Sequence, residues 1–333
     1  MRLTYLCLQA TREGQAAHAH VHEIIAGLRR LGWQVQLFEP HHRRGENTPL
    51  WRRAIEFMRV QAGLWLRGRP GAGILYIRNH HGAFPTALLA KLLRIPVVQE
   101  VNGPYEDLFV SWPVTRRMAA LFRWLFRVQL RWANAVVAVT PQLADWVRAE
   151  AGEKRVVVVP NGANTDLFHP GARTERDLPA RFVVFFGALA PWQGVDTLLE
   201  AVESAAWPAD VALVIAGDGG AREKVQAAAA RNPLVRYLGA LPYREVPGVV
   251  ARSLASLCPK NNIAGHATTG LNPLKLFETA ACGVPIVVTD FPGQADVVRT
   301  HGCGVVIPPE NGEALARAVA RLAADPEESA AMG

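Results

Sequence analysis

Short runs of Val, Ile, Leu and Phe recur along the chain, set between Gly, Pro or Asn and separated by segments whose apolar residues fall at helical spacing. They predict strands at residues 3–8, 35–38, 74–77, 97–100, 135–139 and 156–159. Helices lie between them, the first over about 17–31 with Gly32 at its end. After Pro160-Asn-Gly162 a loop runs to Pro179 and the pattern restarts. Strands are then expected at 182–186, 211–216, 235–238, 255–258 and 286–288, and helices over 194–205, 221–231, 273–282 and 311–323. Strands without polar alternation, each followed by a helix, predict parallel sheets covered on both faces. Two such halves of similar length predict an α/β protein of two doubly wound domains, 1–165 and 166–333, facing across a cleft. Ligands of these sheets sit outside the carboxyl ends of the strands.

The richest segment runs from Asn272 to Asp290. Asn272 suits an N-cap and Pro273 the first helical position. Leu274, Phe277 and Ala281 make an apolar stripe for burial, Gly283 ends the helix, and 286–288 reads as a buried strand. A helix N-terminus attracts phosphate through its free N–H groups and dipole. Lys275 stands in that first turn, where the dipole disfavours a cation unless an anion docks there. Glu278, one turn on, can accept from sugar or ribose hydroxyls. The plainer alternative is a capped helix with a solvated Lys.

Composition narrows the class. The 333 residues suggest about two domains, and 50% hydrophobic with 20% charged residues is globular rather than disordered. Cys7, Cys258, Cys282 and Cys303 lie far apart with no Cys-x-x-Cys pair, so neither a zinc site nor a disulfide framework is signalled. The opening residues run straight into a strand and are too short for a signal peptide, and no window nears the roughly 18 apolar residues of a spanning helix. A cytoplasmic protein is expected. Charge is uneven: residues 1–133 carry 19 Lys and Arg against 8 Asp and Glu, and the remainder 17 against 21. The basicity of the first domain suits an anionic surface or substrate; no nucleic-acid partner is expected.

The chain resembles the retaining GT-B glycosyltransferases of family 4 over nearly its whole length. The marks are Gly14 before the His-bearing helix, Glu100-Val-Asn-Gly103 after a strand, and Val157-Val-Val-Pro-Asn-Gly162 with Asp166 and Phe168-His-Pro170. Phe185-Phe-Gly-Ala-Leu-Ala-Pro-Trp-Gln-Gly194, Gly217-Asp-Gly219, Leu238-Gly239 and the 272–290 segment complete them. The resemblance implies two Rossmann-like domains and transfer of a sugar from a nucleotide-sugar donor with retention, by attack on the face from which the diphosphate leaves. It implies a donor diphosphate over Asn272, Leu274 and Lys275, ribose hydroxyls on Glu278, and Gly187 with the loop through Gln193 lining the other side of the phosphates. Asn102 matches a position facing the donor sugar, Gly14 and Gln15 would close over the donor, and His20 opens the adjoining helix. Arg78, directly after a strand, is a further cleft candidate. With no Asp-x-Asp after a strand, no metal and no cofactor beyond the donor are expected.

Three positions depart from the pattern. The family's diphosphate-binding Arg and Lys are here Ala188 and Gln193, and its glutamate eight residues before Glu278 is Gly270. A charge-assisted hydrogen bond is worth about 1.5–3 kcal/mol, so Lys275, Arg78 or Lys260 must compensate in an active enzyme. The alternatives are a nucleotide-sugar epimerase of the same fold, which needs carboxylates flanking the sugar, or a non-catalytic partner protein. No carboxylate reads as a convincing covalent nucleophile, Glu100 being the one left open.

Other features are weighed against structural roles. His80 and His81 share a loop but point in different directions; His18 and His22, four apart on a helix, could bind zinc but lack a third ligand. His41-His42-Arg43-Arg44 reads as a loop that could touch an acceptor, and His266 precedes Asn272 as a donor-sugar candidate. Over 116–132, Met118, Leu121, Leu125, Val128 and Trp132 form one stripe, and Arg116, Arg123, Arg127 and Arg131 another face. With Trp51 and Trp65 nearby, such a basic amphipathic helix can lie on an anionic membrane, placing the protein at the inner membrane face with a lipid-linked acceptor; the plainer reading is a core-packed helix with a solvated Arg face. Relatives usually continue with a helix that crosses back onto the first domain, whereas this sequence stops at Ala330-Ala-Met-Gly333. That closing helix is expected to be missing.

Overall fold

The computed structural model describes residues 1–9, 11, 16–40, 49–68, 70–152, 155–263 and 266–333. Its packing divides the chain into two units, one built on Met1–Arg12 and Ala17–Pro160, the other on Asn161–Gly333. The division falls after Pro160, ahead of the expected 165.

The first unit holds six parallel strands: β1 (Arg2–Cys7), β2 (Gln34–Phe38), β3 (Ile74–Arg78), β4 (Val97–Val101), β5 (Ala135–Ala138) and β6 (Val156–Val158). Their order is β2-β1-β3-β4-β5-β6. Around them lie α1 (Ala16–Arg30), α2 (Leu50–Gly63), α3 (Phe84–Leu92), α4 (Asp107–Ser111), α5 (Ala119–Trp132) and α6 (Pro141–Ala151). Successive residues of a strand point to opposite faces, so β1 feeds two cores. Tyr5 and Cys7 pack with Val21 and Ile25 of α1, while Leu6 joins Leu75, Ile77, Phe126 and Leu130. Register places Cys7, Arg78 and Glu100 side by side at the carboxyl ends of β1, β3 and β4.

The second unit repeats the plan with β7 (Phe182–Phe186), β8 (Ala212–Ala216), β9 (Val235–Gly239), β10 (Ser256–Cys258), β11 (Ile286–Thr289) and β12 (Gly304–Ile307), ordered β12-β11-β10-β7-β8-β9. Its helices are α7 (Val195–Glu203), α8 (Arg222–Arg231), α9 (Val246–Val250), α10 (His266–Thr269), α11 (Leu274–Ala281), α12 (Gln294–His301), α13 (Gly312–Ala324) and α14 (Pro326–Met332). Every residue of β7 and β8 is buried. Val183 and Phe185 pack under Leu198, Leu315 and Val319 on one face; Phe182, Val184 and Phe186 pack against Phe168, Val249 and Val250 on the other. Each fully buried large side chain contributes about 1.5–3 kcal/mol, which makes this two-sided burial the main reason the strands stay central.

α12 and β12 are absent from the expected elements. β12 is only four residues long and begins at a glycine, a short signal although Val305, Val306 and Ile307 favour a strand; it pairs with β11 from Ile286 opposite Gly304 to Thr289 opposite Ile307.

Candidate active site

In the second unit, α11 starts at Leu274, and Pro273 (φ −69°, ψ 138°) rather than Asn272 is its cap residue. The extended Pro273 leaves Asn272 one position outside the helix, where its carbonyl accepts from Asn161 Nδ2. The buried face also differs from the expected stripe. Lys275, Leu276, Glu278 and Thr279 are buried, whereas Leu274, Phe277 and Ala281 are only half-buried. The helix turns its charged residues inward, so the solvated-Lys reading does not hold.

Lys275 is 7% exposed. Its ammonium lies 4.0 Å from the centre of the Phe185 ring and 3.2 Å from Oε1 of Gln193, to which it donates. Gly187 (φ 127°) admits this approach, since a Cβ there would stand 3.3 Å from Nζ. Burial, and then the neighbouring Lys260, push the Lys275 ammonium down from 10.5 to about 7. Glu278, 5% exposed, accepts from the Tyr243 hydroxyl at 2.9 Å. Gly270 has φ 72°, a left-handed backbone that a glutamate would occupy only under strain; the missing carboxylate is therefore matched by the local backbone. Burying an ammonium costs several kcal/mol, and a desolvated cation–π contact returns about 2. The charge of Glu278 offsets only part of that cost, and among the described residues no carboxylate pairs with the ammonium, so the site suits an anion.

In the first unit the three candidates Arg78, His20 and Asn102 converge on one buried carboxylate. Oε1 of Glu100 receives Arg78 at 2.7 Å, His20 Nε2 at 2.7 Å and Asn102 Nδ2; Oε2 receives the Tyr5 hydroxyl at 2.7 Å. An ionised carboxylate only accepts, so His20 Nε2 carries a proton here. Burial pushes the Glu100 carboxyl up, but the hydrogen bond from His20 and the charge of Arg78 more than reverse it and hold it well below the usual range. A carboxylate saturated by four donors is a poor nucleophile. Glu100 positions Arg78, His20 and Asn102 instead.

The family model for Glycosyl transferases group 1 matches residues 172–333, and that for Glycosyltransferase Family 4 matches residues 17–167. The chain belongs to the family-4 glycosyltransferases. It is 31% identical over 188 residues to a GDP-mannose-dependent alpha-(1-6)-phosphatidylinositol monomannoside mannosyltransferase of Mycolicibacterium smegmatis, covering 53% of this chain and 49% of that protein. The match thus spans about half the length of that relative. Its fold is that of the sucrose-phosphate synthase of Thermosynechococcus elongatus, with a TM-score of 0.78 at 17% identity over 99% of this chain and 92% of that one. HepE of Anabaena, solved with UDP-glucose, gives 0.68 at 17% identity over 100% and 92%. These likenesses make the two-sheet architecture the GT-B fold.

Gly14, Gln15 and His41–Arg44 lie outside the described residues of this family-4 chain, as does the side chain of His266, which begins α10. His80 caps the short helix His81–Ala83 by accepting from the Gly82 amide at 3.0 Å, and burial lowers both His80 and His81 to about 4. His18 stacks on His22 at 4.0 Å, and His22 Nε2 lies 3.4 Å from Glu39; no metal-binding cluster occurs among the described residues. The segment from 116 starts as a 3-10 turn, Pro113–Met118, before α5. Arg123 and Arg127 are clamped to Glu150 of α6 at 2.7 Å and 2.5 Å, so they do not form a free basic face. Of the expected stripe, Met118 and Leu121 are exposed, with Trp112, Val114 and Trp124 also exposed, and Leu125, Val128 and Trp132 are only half-buried; Phe126 and Leu130, outside the stripe, fill the core.

Sequence reasoning missed the hydroxyls of Tyr5 and Tyr243, which lie far from their partners along the chain and belong to no motif. It also missed the meeting of Lys260 with Lys275. Lys260, just after β10, is 6% exposed and donates to the same Gln193 oxygen at 2.8 Å.

Proposed function

We propose that this protein transfers a sugar from a nucleotide-sugar donor to an acceptor with retention of configuration. The observation that carries the proposal is the buried Lys275 ammonium at the N-terminus of α11, facing Gly187 with no carboxylate paired to it among the described residues. As the glycosidic bond breaks, negative charge grows on the departing diphosphate. A fixed cation and the dipole of α11 stabilise that charge without reorganising, and need no metal. Glu278, oriented by Tyr243, is assigned to the ribose hydroxyls of the donor. Arg78, Asn102 and His20, held by Glu100, are assigned to the sugar end. An epimerase would need carboxylates free to take and give protons, a role that saturated Glu100 does not fit.

The acceptor is proposed to be lipid-linked and met at the cytoplasmic face of a membrane. The name of the mycobacterial relative supports this, since it acts on a phosphatidylinositol monomannoside. So do the exposed Trp112, Val114, Met118, Leu121 and Trp124 beside exposed Arg116 and Arg117, an arrangement suited to an anionic interface. No helix among the described residues is long and apolar enough to cross a membrane.

Thermal shifts against UDP-, GDP- and ADP-sugars test the donor assignment. A donor at a hundred times its Kd stabilises the fold by about 2.7 kcal/mol. One nucleotide class should raise the melting temperature; a flat response to all three would reject the proposal.

A further inference from the structure

Gln193 occupies the place where the family pattern expects a lysine, and its amide oxygen is where two other lysines meet. Lys260 Nζ donates to it at 2.8 Å and Lys275 Nζ at 3.2 Å. Both side chains are more than nine-tenths buried, and among the described residues neither pairs with a carboxylate. The two come from different elements. Lys260 follows β10, with its backbone amide tied to the Thr289 hydroxyl at 3.0 Å; Lys275 is in the first turn of α11. One neutral oxygen has two lone pairs and serves both ammoniums, but it neutralises neither. Two like charges brought out of water onto one uncharged atom repel and lose hydration together. A doubly charged anion placed there would offset both charges at once.

We infer that Lys260 is a second ligand for the donor's diphosphate, with Gln193 the neutral bridge that positions it beside Lys275. The inference rests on the donor site proposed above and adds a residue to it. The charge absent at Ala188 and Gln193 is thereby supplied from the carboxyl end of β10. A methionine at 260 keeps the stem and removes the charge, whereas a lysine at 193 returns a charge to the point where both ammoniums now converge.

The test compares wild type, Lys260→Met, Lys275→Met and the double variant Lys260→Met with Gln193→Lys. Calorimetry would measure binding of whichever of UDP, GDP and ADP binds wild type, and of the matching nucleoside. Lys260→Met should weaken the nucleoside diphosphate at least tenfold and leave the nucleoside within about twofold, as expected for one lost charge-assisted contact. Adding Gln193→Lys should recover most of the diphosphate affinity. If Lys260→Met does not melt cooperatively, Lys260→Gln carries the same comparison. Diphosphate affinity unchanged in Lys260→Met but weakened in Lys275→Met would overturn the role of Lys260 and leave the donor site standing. Equal loss for nucleoside and diphosphate would overturn it as well, because the lesion would then be in the fold. A double variant as weak as the single one would overturn the idea that charge is what Lys260 contributes. Wild type that binds none of the three diphosphates would instead reject the donor site itself.

Discussion

Replacing Lys275 by Met should stabilise the protein without ligand while weakening its grip on a nucleoside diphosphate. In the unfolded chain this ammonium ionises near 10.5, and in the fold near 7, because burial and Lys260 oppose its charge. At 1.36 kcal/mol for each pH unit the fold bears up to roughly 5 kcal/mol for keeping the group protonated. From pH 7 to 10.5 the unfolded state binds more protons than the native one, so this penalty shrinks as pH rises. Below pH 7 both states are protonated and the penalty is complete. Methionine removes it but also loses the contact with the Phe185 ring, worth about 2 kcal/mol. A net gain of about 2–3 kcal/mol is expected at pH 6–7, or roughly 5–10 °C for a unit of this size, closing to nothing or reversing by pH 10. Scanning calorimetry of both proteins between pH 6 and 10 measures it, and titration with UDP, GDP and ADP shows the functional cost, a dissociation constant raised about tenfold or more. A variant less stable than wild type at pH 6–7, or a difference that does not vary with pH, would refute the reasoning, because it would mean the ammonium is already compensated in the fold.

The same titration makes diphosphate binding proton-linked: between pH 7 and 8 the complex should take up a fraction of a proton, read from calorimetry in buffers of different ionisation enthalpy, and affinity should fall as pH rises through 7. Glu278→Gln should weaken nucleoside diphosphate and intact donor alike, since the ribose is common to both, and Tyr243→Phe should do so more mildly; a loss confined to the sugar donor would reject the ribose role. On the acceptor side, Trp112→Ser with Trp124→Ser, or Arg116→Gln with Arg117→Gln, should reduce sedimentation with anionic vesicles several-fold, more so at low salt. Arg123→Gln with Arg127→Gln should affect melting more than sedimentation, because those residues hold Glu150.

What the sequence made legible is what rests on local pattern. Apolar runs such as Phe182–Phe186 and Ala212–Ala216 announce buried parallel strands whatever surrounds them. Lys275 and Glu278 were legible through the helix that carries them, though not their burial. The apolar periodicity of 274–281 pointed to Leu274, Phe277 and Ala281 as the inner face, and the fold turned the helix the other way. Periodicity measures how favourably a face can be buried; it does not know that Phe185, Gly187 and Gln193 make a lined space for an ammonium on the opposite side. The Arg residues of α5 misled for a similar reason. Their spacing is right for a basic face, but Glu150 lies on another helix and consumes two of them.

Both sites place charge where the fold alone would not want it, and they resolve it in opposite ways. Around Glu100 the account closes within the protein: one carboxylate, one guanidinium, and three further donors from His20, Asn102 and Tyr5 fill the lone pairs. Such a network is rigid and needs no ligand to complete it, which suits residues that must hold their geometry. Around Gln193 it does not close, because two ammoniums share a neutral oxygen. The structure therefore separates a preorganised group of positioning residues from a group that awaits an anion. That asymmetry fits a reaction in which negative charge arises at the leaving group, since a cation left unsatisfied in the free protein interacts most strongly at the moment that charge is greatest.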